Sequence, residues 1–303
     1  MAHLIDAPAR AAATADGIAT QRAADAVAAR SASTTVIKPS RGWVTLGLRE
    51  VWKYRELLFF LIWRDVKVRY KQTVVGLLWV IMQPVATMLL FTFVFGRLAK
   101  LPTNGMPYPI FAYSGLLPWQ LFAAGLVGAG TGIVGSSNLI TKVYFPRLII
   151  PISSVVSGLV DFGAAFVVMI GLMVYYDVAP TIAVLALPLF VLLATLTALA
   201  VGLWLSMLNV RYRDIQYTIP FLTQIWLFMT PVAYASGLIP PKYRLLIALN
   251  PMTSVVDGFR WALLGQAEPF GTEFYISIGM VGLVLVTGIA FFKRMEKTFA
   301  DVI

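Results

Sequence analysis

Asp161, in the stretch DFGAAF at 161–166, is the one acid standing well inside an apolar run. A carboxylate in that setting is either a titrating group or half of an ion pair. A proton-coupled carrier needs such a group; so does a bundle that locks two helices together, with Arg147 or water as the partner. The run GAGTGIVG at 128–135 contains Gly130-x-Gly132-x-x-Gly135, the spacing of a dinucleotide-binding loop. No strand pattern precedes it, an apolar run surrounds it, and no Gly-Lys-Ser/Thr phosphate loop occurs in the chain. Gly128-x-x-x-Gly132 therefore reads as a surface for close helix packing. Rings are plentiful at Tyr113, Trp119, Phe122, Tyr217, Trp226, Phe228 and Tyr234. Aromatic faces suit the C–H faces of sugars, as a glycan channel would require, and equally suit a membrane's headgroup belt. The chain has no cysteine, and His3 is its sole histidine. Thiol chemistry, disulfides and most metal or acid/base chemistry thus lack residues, and no catalytic residue, metal or cofactor is expected.

The elements that must position these groups are membrane helices. Hydrophobic residues make up 59% of the chain and charged residues 13%, far from the usage of a soluble domain. The net charge of +10 comes from cations clustered beside apolar runs, a pattern of topology rather than of nucleic-acid binding. From Gly76 to Gly96 there is no charge, and at about 1.5 Å per residue that stretch crosses a hydrocarbon core of about 30 Å. Arg64, Lys67, Arg69 and Lys71, opposed only by Asp65, place its start in the cytoplasm. Further runs cover residues 111–134, 150–176, 182–208, 217–236 and 274–292. Lys142 with Arg147, Arg211 with Arg213, and Lys293, Arg294 and Lys297 then all fall on the cytoplasmic side, against Arg97 and Lys100 outside. The expectation is an all-α integral membrane protein with six transmembrane helices, spans 76–96 to 274–292, and both termini cytoplasmic.

Four pieces lie outside the spans. Residues 1–40 are Ala-rich with interspersed acids and no apolar core, which reads as a disordered cytoplasmic tail rather than a targeting peptide. In 43–63, Leu48, Val51, Trp52, Phe59 and Ile62 recur at helical spacing opposite Arg49, Glu50, Lys53 and Glu56. That pattern is an N-terminal amphipathic helix, lying in the interface or packed on a partner. Between the last two spans, residues 238–265 hold two apolar pieces too short to cross. Asn250 as N-cap and Pro251 at the first helical position start a new helix there. Lys242, Arg244, Asp257 and Arg260 are costly at the bilayer centre, so an outer-leaflet re-entrant helical hairpin, or one lying along that face, is expected. The link SSNLITKVYFPRLIIPIS at 136–153 makes a short helix ended by Phe145-Pro146-Arg147. With Leu139, Ile140 and Phe145 exposed it is a docking element; the other reading packs it on the chain's own amphipathic helix.

LLFFLIWRDVKVRYKQTVVGLLWVIMQP at 57–84, SGLLPWQLF at 114–122, the link at 136–153, NVRYRDI at 209–215 and NPMTSVVDGFRWALLG at 250–265 together resemble one family. It is that of the permease subunits of type-2 ABC exporters of O-antigen, teichoic acid and related lipid-linked polysaccharides, and it covers 41–303. The resemblance implies a homodimer of the permease with two separate ATP-binding cassette subunits that hold ATP and Mg, in a bacterial cytoplasmic (inner) membrane, with membrane lipids and a lipid-linked glycan as the other partners. It also implies a coupling helix at 138–147, with Asn138, Leu139, Ile140, Lys142, Phe145, Pro146 and Arg147 against the ATPase. Trp52, Arg55, Arg64, Lys67 and Arg69 would stand at the entrance, and Tyr113, Trp119, Phe122 and Tyr234 along the sugar path. A drug or small-lipid ABC exporter is the alternative within this class, and a proton-coupled secondary carrier the alternative outside it.

Overall fold

The computed structural model describes residues 48–71, 77–266 and 270–296, all of them helix, turn or irregular chain without a β-strand. The predicted tail at 1–40, the first residues of the amphipathic segment and Lys297 lie outside the described residues. A short α1 (Leu48–Lys53) and a longer α2 (Arg55–Lys71) come first. Next, α3 (Leu77–Phe91) widens into π-type turns over Thr92–Leu98. Then follow α4 (Tyr108–Gly135), the short α5 (Ser137–Lys142), α6 (Ile149–Tyr175) and α7 (Leu187–Arg211). The chain closes with α8 (Ile215–Met229), α9 (Arg244–Ala248), α10 (Pro251–Leu264) and α11 (Thr272–Glu296).

Five helical stretches are long and apolar enough to cross a membrane: Leu78–Leu98, Tyr108–Gly135, Ile149–Tyr175, Ile182–Arg211 and Thr272–Glu296. They match five of the six expected runs to within a few residues. The run at 217–236 differs, because its helix stops at Met229. Thr230 precedes Pro231, whose ring disfavours helical backbone in the residue before it, and Thr230 is extended at ψ 138°.

At the centre stands α4, mostly buried and packed chiefly on α6 and α7. Its small residues allow this. A Cβ on Gly128 would lie 3.2 Å from Ser154 Cβ, and one on Gly132 would lie 3.1 Å from Ser154 Oγ, so the Gly-x-x-x-Gly face seats α6. On the other side, Gly202 of α7 faces Ala129 so closely that an added Cβ would come within 2.5 Å of the alanine methyl. Further along, α7 meets α11 through the stacked rings of Trp204 and Phe291, 4.4 Å apart. In the α1–α2 pair two apolar faces appear rather than the single expected one. Val51, Tyr54, Leu57, Leu58 and Leu61 pack on a cluster with Phe145, Ile149 and Phe292. Trp52, at 72% exposure, together with Phe59, Phe60 and Trp63 points away. One apolar face thus meets the bundle and the other is left open.

Packing that depends on a missing Cβ gives a direct test. Gly202→Leu should destabilise the bundle by about 1–3 kcal/mol through overpacking. Gly279→Ala, where an added Cβ meets nothing, should leave it unchanged. Thermal unfolding of the detergent-solubilised protein distinguishes the two, and equal melting would refute the close approach.

Candidate functional site

Polar groups inside an apolar bundle are where function is to be sought, and the structure gathers them in three places. The first surrounds Arg260, on α10 between the membrane-length helices. Only 2% of this residue is exposed. Its Nη2 donates to the Val232 carbonyl (2.7 Å) and its Nη1 to that of Tyr234 (3.1 Å), while the Tyr108 hydroxyl donates to the carbonyl between them, Ala233 (2.6 Å). Three successive acceptors of the non-helical stretch after Thr230 are thereby satisfied. The guanidinium carbon sits 3.8 Å from the centre of the Phe111 ring, and Asp257 lies 4.0 Å from Nη1. Burial draws the Arg260 pKa down to about 10, a fall that Asp257 opposes, so the group stays cationic at neutral pH. Burial likewise raises the Asp257 carboxyl, against the Arg260 charge and a hydrogen bond from Ser236. Gly115 supplies the space: a Cβ there would stand 3.1 Å from Arg260 Nη2.

Asn250 ties the same stretch from its other end. Its Oδ1 caps α10 by accepting from Met252 N (3.1 Å) and also accepts from Trp226 Nε1 (2.9 Å), while its Nδ2 donates to Thr230 Oγ1 (2.9 Å). The helix start predicted at Asn250-Pro251 is observed, and Gly265, at φ +64°, closes the helix. Asn250, Asp257 and Arg260 thus belong to one anchored unit. Tyr108, Trp226, Thr230 and Ser236 complete it, and sequence gave no pairing signal for them.

The second place is Asp161. Its partner is not Arg147, as sequence proximity suggested, but Arg69 on α2, with the Tyr70 hydroxyl on its other oxygen; Arg69 also reaches Ser157 (3.4 Å). Ninety-two residues separate the two charges. Arg147 instead donates to the Glu296 carbonyl (2.9 Å). Of the other residues expected at the entrance, Trp52, Arg55 and Lys67 are exposed along α1–α2, and Arg64 pairs with its neighbour Asp65 (2.8 Å). Asp161 in an ion pair matches the helix-locking reading.

The third place is the link at α5. Here Phe145 is buried in the α1–α2 cluster and Leu139 and Ile140 are half-buried against it, so these three are not the exposed set expected. Pro146 and Arg147 are also partly covered. The exposed side chains are Asn138, Thr141, Lys142, Val143 and Tyr144, the last at 80%. As for the expected sugar-path rings, Tyr113, Trp119 and Phe122 are buried within the single chain. Tyr113 donates to the Ala165 carbonyl (2.9 Å), and Phe122 packs between Trp119 and Trp226. Tyr234 is partly exposed.

Five membrane-length helices among the described residues define a polytopic membrane protein. The chain belongs to the ABC-2 type transporter family, whose model matches residues 56–264. It is a multi-pass inner-membrane permease subunit, and membership implies ATP-binding partner subunits. Among similar proteins, the O-antigen export system permease protein RfbA of Myxococcus xanthus is 32% identical over 84% of this chain and 98% of its own length. A protein of the same name from Klebsiella pneumoniae is 27% identical over 82% and 95%. The polysialic acid transport protein KpsM of Escherichia coli is 22% identical over 77% and 91%.

Removing Arg260 strands two buried carbonyls and Asp257, so Arg260→Met should cost about 3–5 kcal/mol. Arg260→Lys should recover only part of this, since one ammonium cannot bridge two carbonyls and stack on Phe111. Thermal unfolding measures both; wild-type melting of the Met variant would show that the hairpin does not depend on Arg260.

Proposed function

We propose that two copies of this chain, joined by two ATP-binding cassette subunits, form the transmembrane path of an exporter that carries a lipid-linked polysaccharide out across the bacterial cytoplasmic membrane. The observation that carries this reading is the likeness to O-antigen export permeases over nearly their full length, with a polysialic acid transport protein aligned to 77% of the chain. The sequence carries no Gly-Lys-Ser/Thr phosphate loop. ATP and Mg are held by the partners, whose closure on ATP favours one permease conformation over the other; such coupling requires that the ATP-bound partner bind the two states with different affinity.

Six crossings fit this reading. At about 1.5 Å per residue α8 covers about 22 Å, and the non-helical residues after Met229 are left to carry the chain the remaining distance. The hairpin of α9 and α10 then lies on the outer side, and both termini and the α5 link lie in the cytoplasm, as the charge distribution requires. At α5 the buried Phe145 roots the link on α1–α2, leaving Lys142, Val143 and Tyr144 as the tip offered to the ATP-binding subunit. Motion of that subunit thus reaches α2 and α6 through a packed joint rather than a loose loop. Asp161, paired with Arg69, weighs against a proton-coupled carrier.

Two measurements test the arrangement. Val143→Asp with Tyr144→Asp should abolish co-purification with the ATP-binding subunit at unchanged melting temperature, whereas Phe145→Asp should unfold the joint; retained co-purification of the double variant would sink the docking assignment. In this cysteine-free chain, Lys242→Cys should label from outside the cell and Arg211→Cys only from inside, and the opposite pattern would reverse the topology. Deletion of the chain should remove the surface polysaccharide of its host.

A further inference from the structure

The four helices α2, α3, α4 and α6 enclose an open groove of about 900 Å³, within the usual range for ligand sites. Most of its wall is apolar, but two carboxamides interrupt it: Gln83 on α3 and Gln120 on α4. Both stand inside membrane-length helices, where an amide left without a partner is costly. Among the described residues, neither side-chain amide makes a hydrogen bond. Trp79 lines the groove one helical turn before Gln83, so an exposed indole and an amide share one face of α3. Asp161 and Tyr70, held together by a hydrogen bond, form a polar flank.

We infer that this groove is a binding site for a short run of sugar units of the exported chain, with Trp79 stacking on a pyranose face and the Gln83 and Gln120 amides bonding its hydroxyls. The assignment rests on the export reading above. Its chemistry follows from the side chains. An amide offers both a donor and an acceptor, which is what a hydroxyl presents in return. A ring face takes the C–H side of the same sugar. A lipid tail would satisfy neither amide, and the cation in the wall, Arg69, is already paired with Asp161, so a simple anion would meet no unspent charge. Neutral hydroxyl-rich chain is the occupant that leaves no group in the groove unpaired. The rings expected from sequence along the sugar path, Tyr113, Trp119 and Phe122, are instead core residues that back α4, while Trp79 is open to the groove.

The test uses the complete transporter and its host. Gln83→Leu and Gln120→Leu each exchange an intramembrane amide for an apolar group, a change that leaves helix packing intact or strengthens it. Each should lower surface polysaccharide about five-fold, the effect of one lost hydrogen bond, at unchanged melting temperature. Trp79→Ala should do the same and Trp79→Tyr should restore export. Independently of folding, maleimide labelling of purified Gln83→Cys transporter should slow when polysaccharide isolated from the host envelope is added. Full export by both Leu variants, or labelling unaffected by the polysaccharide, would overturn the site. A host that keeps its surface polysaccharide after deletion of the chain would instead overturn the export reading, so the two failures are distinguishable.

Discussion

Hydrocarbon offers a backbone carbonyl no hydrogen bond, and that constraint governs how this chain can leave a helix. After Met229 the helix stops, because Pro231 will not let Thr230 stay helical. The carbonyls of Val232, Ala233 and Tyr234 are then freed in a row, and Arg260 and Tyr108 turn inward to meet them. The surroundings follow from this one need. Gly115 has no side chain because the guanidinium occupies its place, Phe111 presents a ring face to the cation, and Asp257 stands near enough to offset its charge. Replacing the cation by an apolar residue would not be neutral, as it can be for an isolated buried pair, since its partners are backbone atoms that cannot be substituted away.

The same constraint explains why the hairpin and the end of α8 are one object. Asn250 uses both polar atoms of its amide: Oδ1 caps α10 and accepts from Trp226, and Nδ2 donates to Thr230. A shift of α10 would therefore be felt at the end of α8, and through Arg260 at α4. Tied at both ends in this way, such a unit moves as a rigid piece rather than by fraying.

Local chemistry was legible in the sequence, and distant pairing was not. Asn250-Pro251 announced the start of α10, and the Gly128–Gly132 spacing announced a packed face, because caps and small-residue stripes act within one helix. Pro231 carried the signal for the end of α8, but the apolar run continued past it and hid the break. Asp161 was recognised as exceptional, yet its partner lies ninety-two positions away and nothing in either neighbourhood names the other. At the link, Phe145 was expected outside because a short helix with apolar residues resembles a docking motif. Its burial reflects an apolar face of α1–α2 that periodicity placed a few residues off, with Trp52 and Phe59 turned outward instead.

Polar side chains in the bundle divide by where their partners lie. Arg260, Asn250, Tyr113 and Asp161 find theirs within the chain, and their conspicuous types in an apolar sequence report the demands of folding in lipid. Gln83 and Gln120 look far less remarkable in sequence, being uncharged and isolated, and they keep their hydrogen-bonding capacity turned into an open groove. For the sugar site we infer, this division has a reason. Charges fixed in mutual pairs would not hold such a cargo, while single amides and an indole would grip each sugar weakly enough to release it to the next. Weak, repeated and uncharged contact is what threading requires, and in this groove the two glutamines are the residues placed to provide it.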